Sequence, residues 1–339
     1  MSQIIQLFAK RPVLVTIVVC IVMFLITGLT SDTAFFNGYT VVNLLQNNAA
    51  LGVVAVGLTF VILTGGIDLS VGSIVGWAAL IAAFLIKGPK NGEMAFFHNW
   101  NPFVAMATVL VIATIGGAII GVMVHHLEIP PFLITLAFLF LYRGWALVVT
   151  TEEVKIEGES PVISMADSVV KIHGIDSIPV PIYLWTIVLM AVVGVGAWLG
   201  RYTGFGRSLY AIGGSENSAI LMGLPVARSK VIVYAFSGFC AALGGLIFLV
   251  IYHGGSALKS RGMELEGITV AVVGGTLLTG GVGGVPGTLI GLLTYAIIQA
   301  AMSRHTFPTG VDRMMLGGLL LAFILLQKVL QLRKPAAAV

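Results

Sequence analysis

A carboxylate, Asp68, stands in the stretch I-L-T-G-G-I-D-L-S-V-G-S (62–73), between Gly65-Gly66 and Gly72 and inside a long apolar region. A carboxylate at such a place has four uses. It can accept backbone N–H bonds and hold an irregular segment, line a pore, pair with a cation, or relay protons. Unpaired in a membrane it costs a few kcal/mol (about 3), so it needs one of these roles. A relay requires a chain of titrating groups, which the neighbouring sequence lacks. The one basic residue well away from the ends of an expected span is Arg143. Further polar residues lie in apolar runs: Gln46, Asn47, Asn48, Thr59, Ser70, Ser73, Thr135 and Gln299. Each is a candidate for a polar pathway and also for hydrogen-bonded packing between helices.

Other chemistry is excluded by pattern. No Lys follows a Gly, so a G-K-[ST] phosphate loop is absent, as are H-E-x-x-H and G-x-S-x-G. His125 and His126 are adjacent and do not share a helix face as an i,i+4 pair would. Cys20 and Cys240 both lie in apolar segments and read as small core hydrophobes. No catalytic set, metal site or bound cofactor is expected on this chain.

The elements that must position Asp68 follow from composition. Of 339 residues, 58% are hydrophobic and 9% charged, against about 25% charged in soluble domains; the mean hydropathy is +1.04. The expected fold is all-α, one polytopic membrane domain over residues 1–339. Apolar runs of about 20 residues give ten spans: 12–30, 41–64, 70–87, 103–124, 131–150, 181–200, 229–252, 263–281, 286–303 and 313–332. The run after Lys10 and Arg11 is long for a signal peptide and lacks a cleavage site. The 42 glycines suit close helix contact, for example at Gly116, Gly117 and Gly121 and at Gly317 and Gly318. An even count puts both termini on one side. The basic residues divide almost evenly between the sides but crowd into short segments on that of the termini, which marks it as cytoplasmic.

The opening stretch recurs. Shifted by 215 positions, residues 61–76 lie over 276–291 with six identities: Leu63/Leu278, Thr64/Thr279, Gly65/Gly280, Gly66/Gly281, Gly72/Gly287 and Gly76/Gly291. Weak internal symmetry with Gly-interrupted apolar segments marks transporters built from repeats. Irregular backbone in a bilayer survives where protein or a water-filled cavity covers it. Gly65, Gly66, Gly72, Gly280, Gly281 and Gly287 are therefore expected at two helix breaks beside a pathway. Gly283 stands where the second copy would carry the carboxylate.

Two loops complete the plan. Residues 151–180 mix charges and prolines, as a solvated loop or a docking rim on the outer side. In 201–230, Ser215 is an N-cap candidate, with Glu216 in the first turn of a short helix over 215–224 and Gly223 as its stop. Such a helix can lie in a groove of a partner.

The motifs T-G-G-I-D-L-S-V-G (64–72), I-P-P-F-L-I-T-L (129–136) with Arg143-Gly144, T-G-F-G-R-S-L-Y-A-I-G-G-S (203–215), M-G-L-P-V (222–226) and V-V-G-G-T-L-L-T-G-G-V-G-G (272–284) stand in this order. With them nearly the whole chain resembles the bacterial ABC sugar permeases of the ribose, xylose and galactose type, in detail most like galactofuranose permease subunits. The resemblance implies a non-catalytic pore subunit of the inner membrane. A second permease chain, identical or related, would complete the pore. A periplasmic binding protein would deliver a pentose or hexose, and cytoplasmic ATPase subunits holding ATP and Mg would drive alternating access. The family's coupling helix falls on Ser215, Glu216, Asn217, Leu221, Met222 and Gly223, which also places the termini in the cytoplasm. Trp77 and Trp145 could stack on a sugar face, or belong to the core or interfacial belt. The rival reading from the residues alone is a secondary transporter driven by an ion gradient without an ATPase.

Overall fold

A computed structural model describes residues 12–30, 33–87, 99–158, 160–173, 179–304 and 310–332. Lys10, Arg11 and residues 159 and 174–178 of the expected 151–180 loop lie outside them. The described chain is helical almost throughout: α1 Pro12–Thr30, α2 Gly38–Asn47, α3 Ala49–Leu63, α4 Ser70–Lys87, α5 Pro102–His126, α6 Pro131–Val149, α7 Pro161–Ala166, α8 Leu184–Tyr202, α9 Gly204–Gly214, α10 Glu216–Leu221, α11 Val226–Tyr252, α12 Met263–Val273, α13 Val285–Arg304 and α14 Val311–Leu332. Two small antiparallel sheets pair β1 (Val154–Lys155) with β4 (Gly254–Gly255), and β2 (Val169–His173) with β3 (Pro179–Tyr183).

Among the described residues seven helices are long and apolar enough to cross a membrane, or eight when α2 and α3, bent by 68° at Asn48, count as one. Ten spans were expected. The clear difference is 263–281, where α12 ends at Val273 after 11 residues. Gly274 and Gly275 stop it, and the apolar run that follows is a turn, since six glycines between 274 and 284 disfavour helix. The expected span 313–332 lies on α14.

Helix α3 is apolar on every face and every residue of it is buried, which places it at the centre of the bundle. Helix α4 is buried over Ser70–Leu85. Helix α11 packs on α3, α4 and α5. Large apolar side chains on the outer faces, such as Ile115, Ile119, Phe140, Leu141 and Trp198, are exposed, as lipid-facing residues are.

The two ends of the bundle differ. At the strand end, Val154 pairs with Gly255, Lys259 bonds Glu153 at 2.6 Å, and the Tyr183 amide donates to the Gln46 side chain. At the α10 end lie the C-terminus of α3, the N-termini of α4 and α13, and helices α9 and α10. Helix α13 runs antiparallel to α3, with Thr288 beside Thr59 and Leu292 beside Gly52.

Small residues set the closest helix contacts. A Cβ on Gly117 of α5 would strike the Tyr234 carbonyl of α11, and one on Gly238 would strike the Ala113 carbonyl. Gly116 faces the Tyr142 hydroxyl and Gly121 the Val231 backbone. Gly317 and Gly318 differ from expectation: they are exposed, and a Cβ on either meets nothing of this chain. Gly317→Ala is therefore expected to leave stability unchanged or raise it by up to about 1 kcal/mol through helix propensity. Gly117→Ala should lower it by about 1–3 kcal/mol despite the same propensity gain, because backbone must move. Thermal unfolding of the detergent-solubilised protein checks the opposite signs.

Candidate functional site

Both expected helix breaks exist, and each begins with the same stop. Helix α3 ends with Gly65 in the left-handed region, φ 78°. The Gly65 amide donates to the Ile62 carbonyl (2.9 Å) and the Gly66 amide to the Val61 carbonyl (3.1 Å). This is the Schellman pattern, which satisfies carbonyls a helix end leaves open. Helix α12 ends identically: Gly275 has φ 91°, its amide donates to Val272 (2.9 Å), and the Thr276 amide donates to Ala271 (3.1 Å).

The repeat is thus structural, but its register is not uniform. The helix starts, Ser70 and Val285, are 215 positions apart, as the sequence shift has it; the helix stops, Gly65 and Gly275, are 210 apart. The first break holds six residues, 64–69, and the second eleven, 274–284. Both turn at the α10 end, so the two copies have the same sense. Gly72 and Gly287 sit in the first turns of α4 and α13 rather than in the breaks. There proximity excludes a side chain: a Cβ would meet Glu264 at Gly72 and the Gly274 carbonyl at Gly287. Gly280 and Gly281, with φ 83° and 72°, form the tip of the second break, and the Gly281 amide donates to the Leu63 carbonyl at 3.0 Å. The end of α3 is therefore capped by the other break.

Asp68 is 1% exposed. One carboxylate oxygen accepts from the Ser70 amide (3.0 Å) and the Ser70 hydroxyl (2.6 Å), and the other from the Ser237 hydroxyl of α11 (2.8 Å). The turn to Ser70 is the local bond that aspartate makes two residues ahead, and it sets negative charge at the positive end of α4. The Ser73 hydroxyl donates to the Ser70 carbonyl, and the Thr135 hydroxyl of α6 to the Ile67 carbonyl (3.3 Å). Asp68 thus binds the break to α4 and α11, while α6 holds the residue before it. Arg143 is not its partner: no ion pair joins them, and the Arg143 Nε has no hydrogen bond. The carboxylate's needs are met by hydroxyls and an amide, which come without a second buried charge.

The other candidate pathway residues do not converge on one site. Thr59 and Thr288 share a 2.6 Å hydrogen bond between α3 and α13. Asn48 occupies the bend, its amide donating to the Leu44 carbonyl at 3.0 Å. Asn47 and Gln299 are exposed. Trp77 is fully buried against Tyr142 and Trp145. Sequence reasoning missed Ser237 and Tyr234, the latter buried with an unpartnered hydroxyl beside Gly66. Neither carries a local signal, since both come from a helix some 170 positions away. It also missed Glu264, whose Oε2 is buried without a partner. The signal was there: two carboxylates, Glu264 and Glu266, follow Gly262 at the head of a run.

At the α10 end a cavity of about 450 Å³ opens between the first break and α10, lined among others by Gly66, Glu128, Glu216, Lys230 and Tyr234. Ser215 caps α10, accepting from the Ser218 amide, and Glu216 bonds Lys230 of α11 at 2.6 Å. The helix covers Glu216–Leu221, shorter than the 215–224 expected, because Gly223 (φ 74°) closes it by a third Schellman stop: Gly223 to Ile220 and Leu224 to Ala219. Asn217 lies in its first turn. Ile220, Leu221 and Met222 are 52%, 88% and 65% exposed. Among the described residues no group of three or more His, Cys, Asp or Glu could hold a metal ion.

A membrane bundle with paired helix breaks and an apolar projection at one end is the plan of a permease, and comparison with known proteins agrees. Residues 40–324 match the family described as "Branched-chain amino acid transport system / permease component", and the chain belongs to that family. It is 37% identical to the inner membrane ABC transporter permease protein YjfF of Escherichia coli (strain K12), over 94% of this chain and 92% of the relative. It is 32% identical to the fructose import permease protein FruG of Bifidobacterium longum, over 94% and 90%. With the ribose import permease protein RbsC of Haemophilus influenzae it shares 36%, over 79% of each.

Asp68→Ala is expected to lower stability by about 1–3 kcal/mol, the cost of leaving buried donors unsatisfied, and Asp68→Asn, which keeps an acceptor, by less. Unfolding temperature and uptake are measured together. An Ala variant that melts normally yet loses uptake would move Asp68 from the wall to the pathway.

Proposed function

We propose that this chain is the membrane permease subunit of an ATP-driven importer that passes a monosaccharide, galactofuranose or a similar pentose or hexose, into a bacterial cell. The carrying observation is the likeness, over 94% of the chain in one case and 79% in the other, to permeases named for fructose and ribose import. In this reading the α10 end, with both termini, faces the cytoplasm. Two ATPase subunits, which bind ATP and Mg, engage α10. A second permease chain, identical or related, completes the pore. A periplasmic sugar-binding protein docks at the strand end around β1 and β4.

The geometry supports the docking role of α10. Three consecutive large apolar side chains, Ile220 and Leu221 of a six-residue helix and its C-cap Met222, project from one end of the bundle. Burying each in a partner groove is worth about 1.5–3 kcal/mol. The helix is fixed by a cap, an ion pair and a glycine stop, so little ordering entropy opposes docking. ATP-driven closure of the partners then favours one state of the bundle over the other, as differential binding must. No bond of the cargo is made or broken on this chain.

Reconstitution tests the proposal. Proteoliposomes holding this chain alone should show no sugar uptake under an ion gradient, and uptake should appear when the ATPase, the second permease, the binding protein and ATP are added. Gradient-driven uptake by the chain alone would establish a secondary transporter instead. Leu221→Asp should weaken ATPase co-purification by about tenfold or more, about 1.4 kcal/mol, while the permease melts as before.

A further inference from the structure

Helix α10 is six residues long and is tied to α11 by the Glu216–Lys230 pair and by buried Ala219 against Val226. Its connection to the helix breaks lies just upstream, in α9. Gly213 of α9 presses backbone to backbone on both helix breaks at once. A Cβ there would collide with the Leu63 carbonyl, which ends α3, and with the Gly281 amide at the tip of the second break. From the other side, a Cβ on Gly280 would strike the Gly65 amide and the Gly213 Cα, and one on Gly281 would strike Gly214. The Gly281 amide meanwhile donates to the Leu63 carbonyl. Three chain segments therefore meet with no side chain between them. A second tie stands one turn back: the Tyr210 hydroxyl donates to the Gly283 carbonyl at 3.0 Å. Helix α9 is anchored below by buried Leu209 and Ile212 and passes directly into Ser215, the cap of α10.

We infer that Gly213 and Tyr210 are positioning residues for transport: through them α9 carries the movement of α10 to both helix breaks together. This rests on the reading of α10 as the ATPase-docking helix. The physical reason is stiffness. Backbone-to-backbone contact has no rotamers to absorb a displacement, so a shift of α9 moves Leu63 and Gly280–Gly281 directly. A side chain at the junction would wedge α9 away and leave α10 free to follow the ATPase without the bundle.

An internal control lies one position on. Gly214 is in the same helix, yet a Cβ there meets nothing within 4 Å. The full complex, with ATPase, second permease and binding protein, is placed in lipid nanodiscs with spin labels at exposed Thr151 and Ser303 at the strand end. Three quantities are read: ATPase co-purification, ATP hydrolysis, and the ATP-dependent change in the label distance. G213A should keep co-purification and hydrolysis within about twofold and lose at least half of the distance change. Y210F, which removes one hydroxyl and no packing, should lose a smaller part, and G214A none. Equal distance changes in wild type, G213A and Y210F would overturn the inference, as would equal losses in G213A and G214A. A wild-type complex that does not retain the ATPase would overturn the proposed function instead.

Discussion

A helix interrupted inside a membrane exposes amides and carbonyls to a solvent that cannot bond them. Everything distinctive in this bundle answers that constraint. The ends of α3 and α12 fold their last carbonyls back through left-handed glycines. Asp68 gathers the donors at the start of α4 and ties them to Ser237 on α11. The Gly281 amide closes the remaining carbonyl of α3 from a segment more than 200 residues away. Two breaks that would be costly alone satisfy each other, and this fixes where the second must lie relative to the first.

The same constraint orders the larger architecture. Helices α3 and α4 are buried because lipid cannot cover the first break, and α11 with α5 and α6 forms the cover. The glycines at 117, 121 and 238 let that cover approach to backbone contact. Helix α10 is held by ordinary helix-end devices: a serine cap, a Glu216–Lys230 pair, a glycine stop.

Much of this was legible in residue types. Long apolar runs located the spans, and T-G-G marked both breaks, ending α3 in the first copy and forming the tip of the break in the second. Ser215 and Gly223 bounded α10 to within a residue or two. Three things were not legible. Hydropathy cannot distinguish a span from a half-length helix followed by a turn, so 263–281 read as one crossing. Identity over a Gly-rich window aligned the helix starts and concealed the five-residue difference at the helix stops. The distant partner of Asp68 was invisible because Ser237 becomes its neighbour through packing, whereas Arg143, the cation the sequence offered, makes no ion pair with it.

That five-residue difference has a consequence of its own. Two copies of one hinge would act as independent joints, each serving its own pair of helices. The shorter copy stays compact and keeps the carboxylate. The longer one has slack enough to cross to its twin and lie between α3 and α9. Unequal length has made a symmetric pair unlike: the shorter break is closed on itself by Asp68, and the longer one bridges α3 and α9.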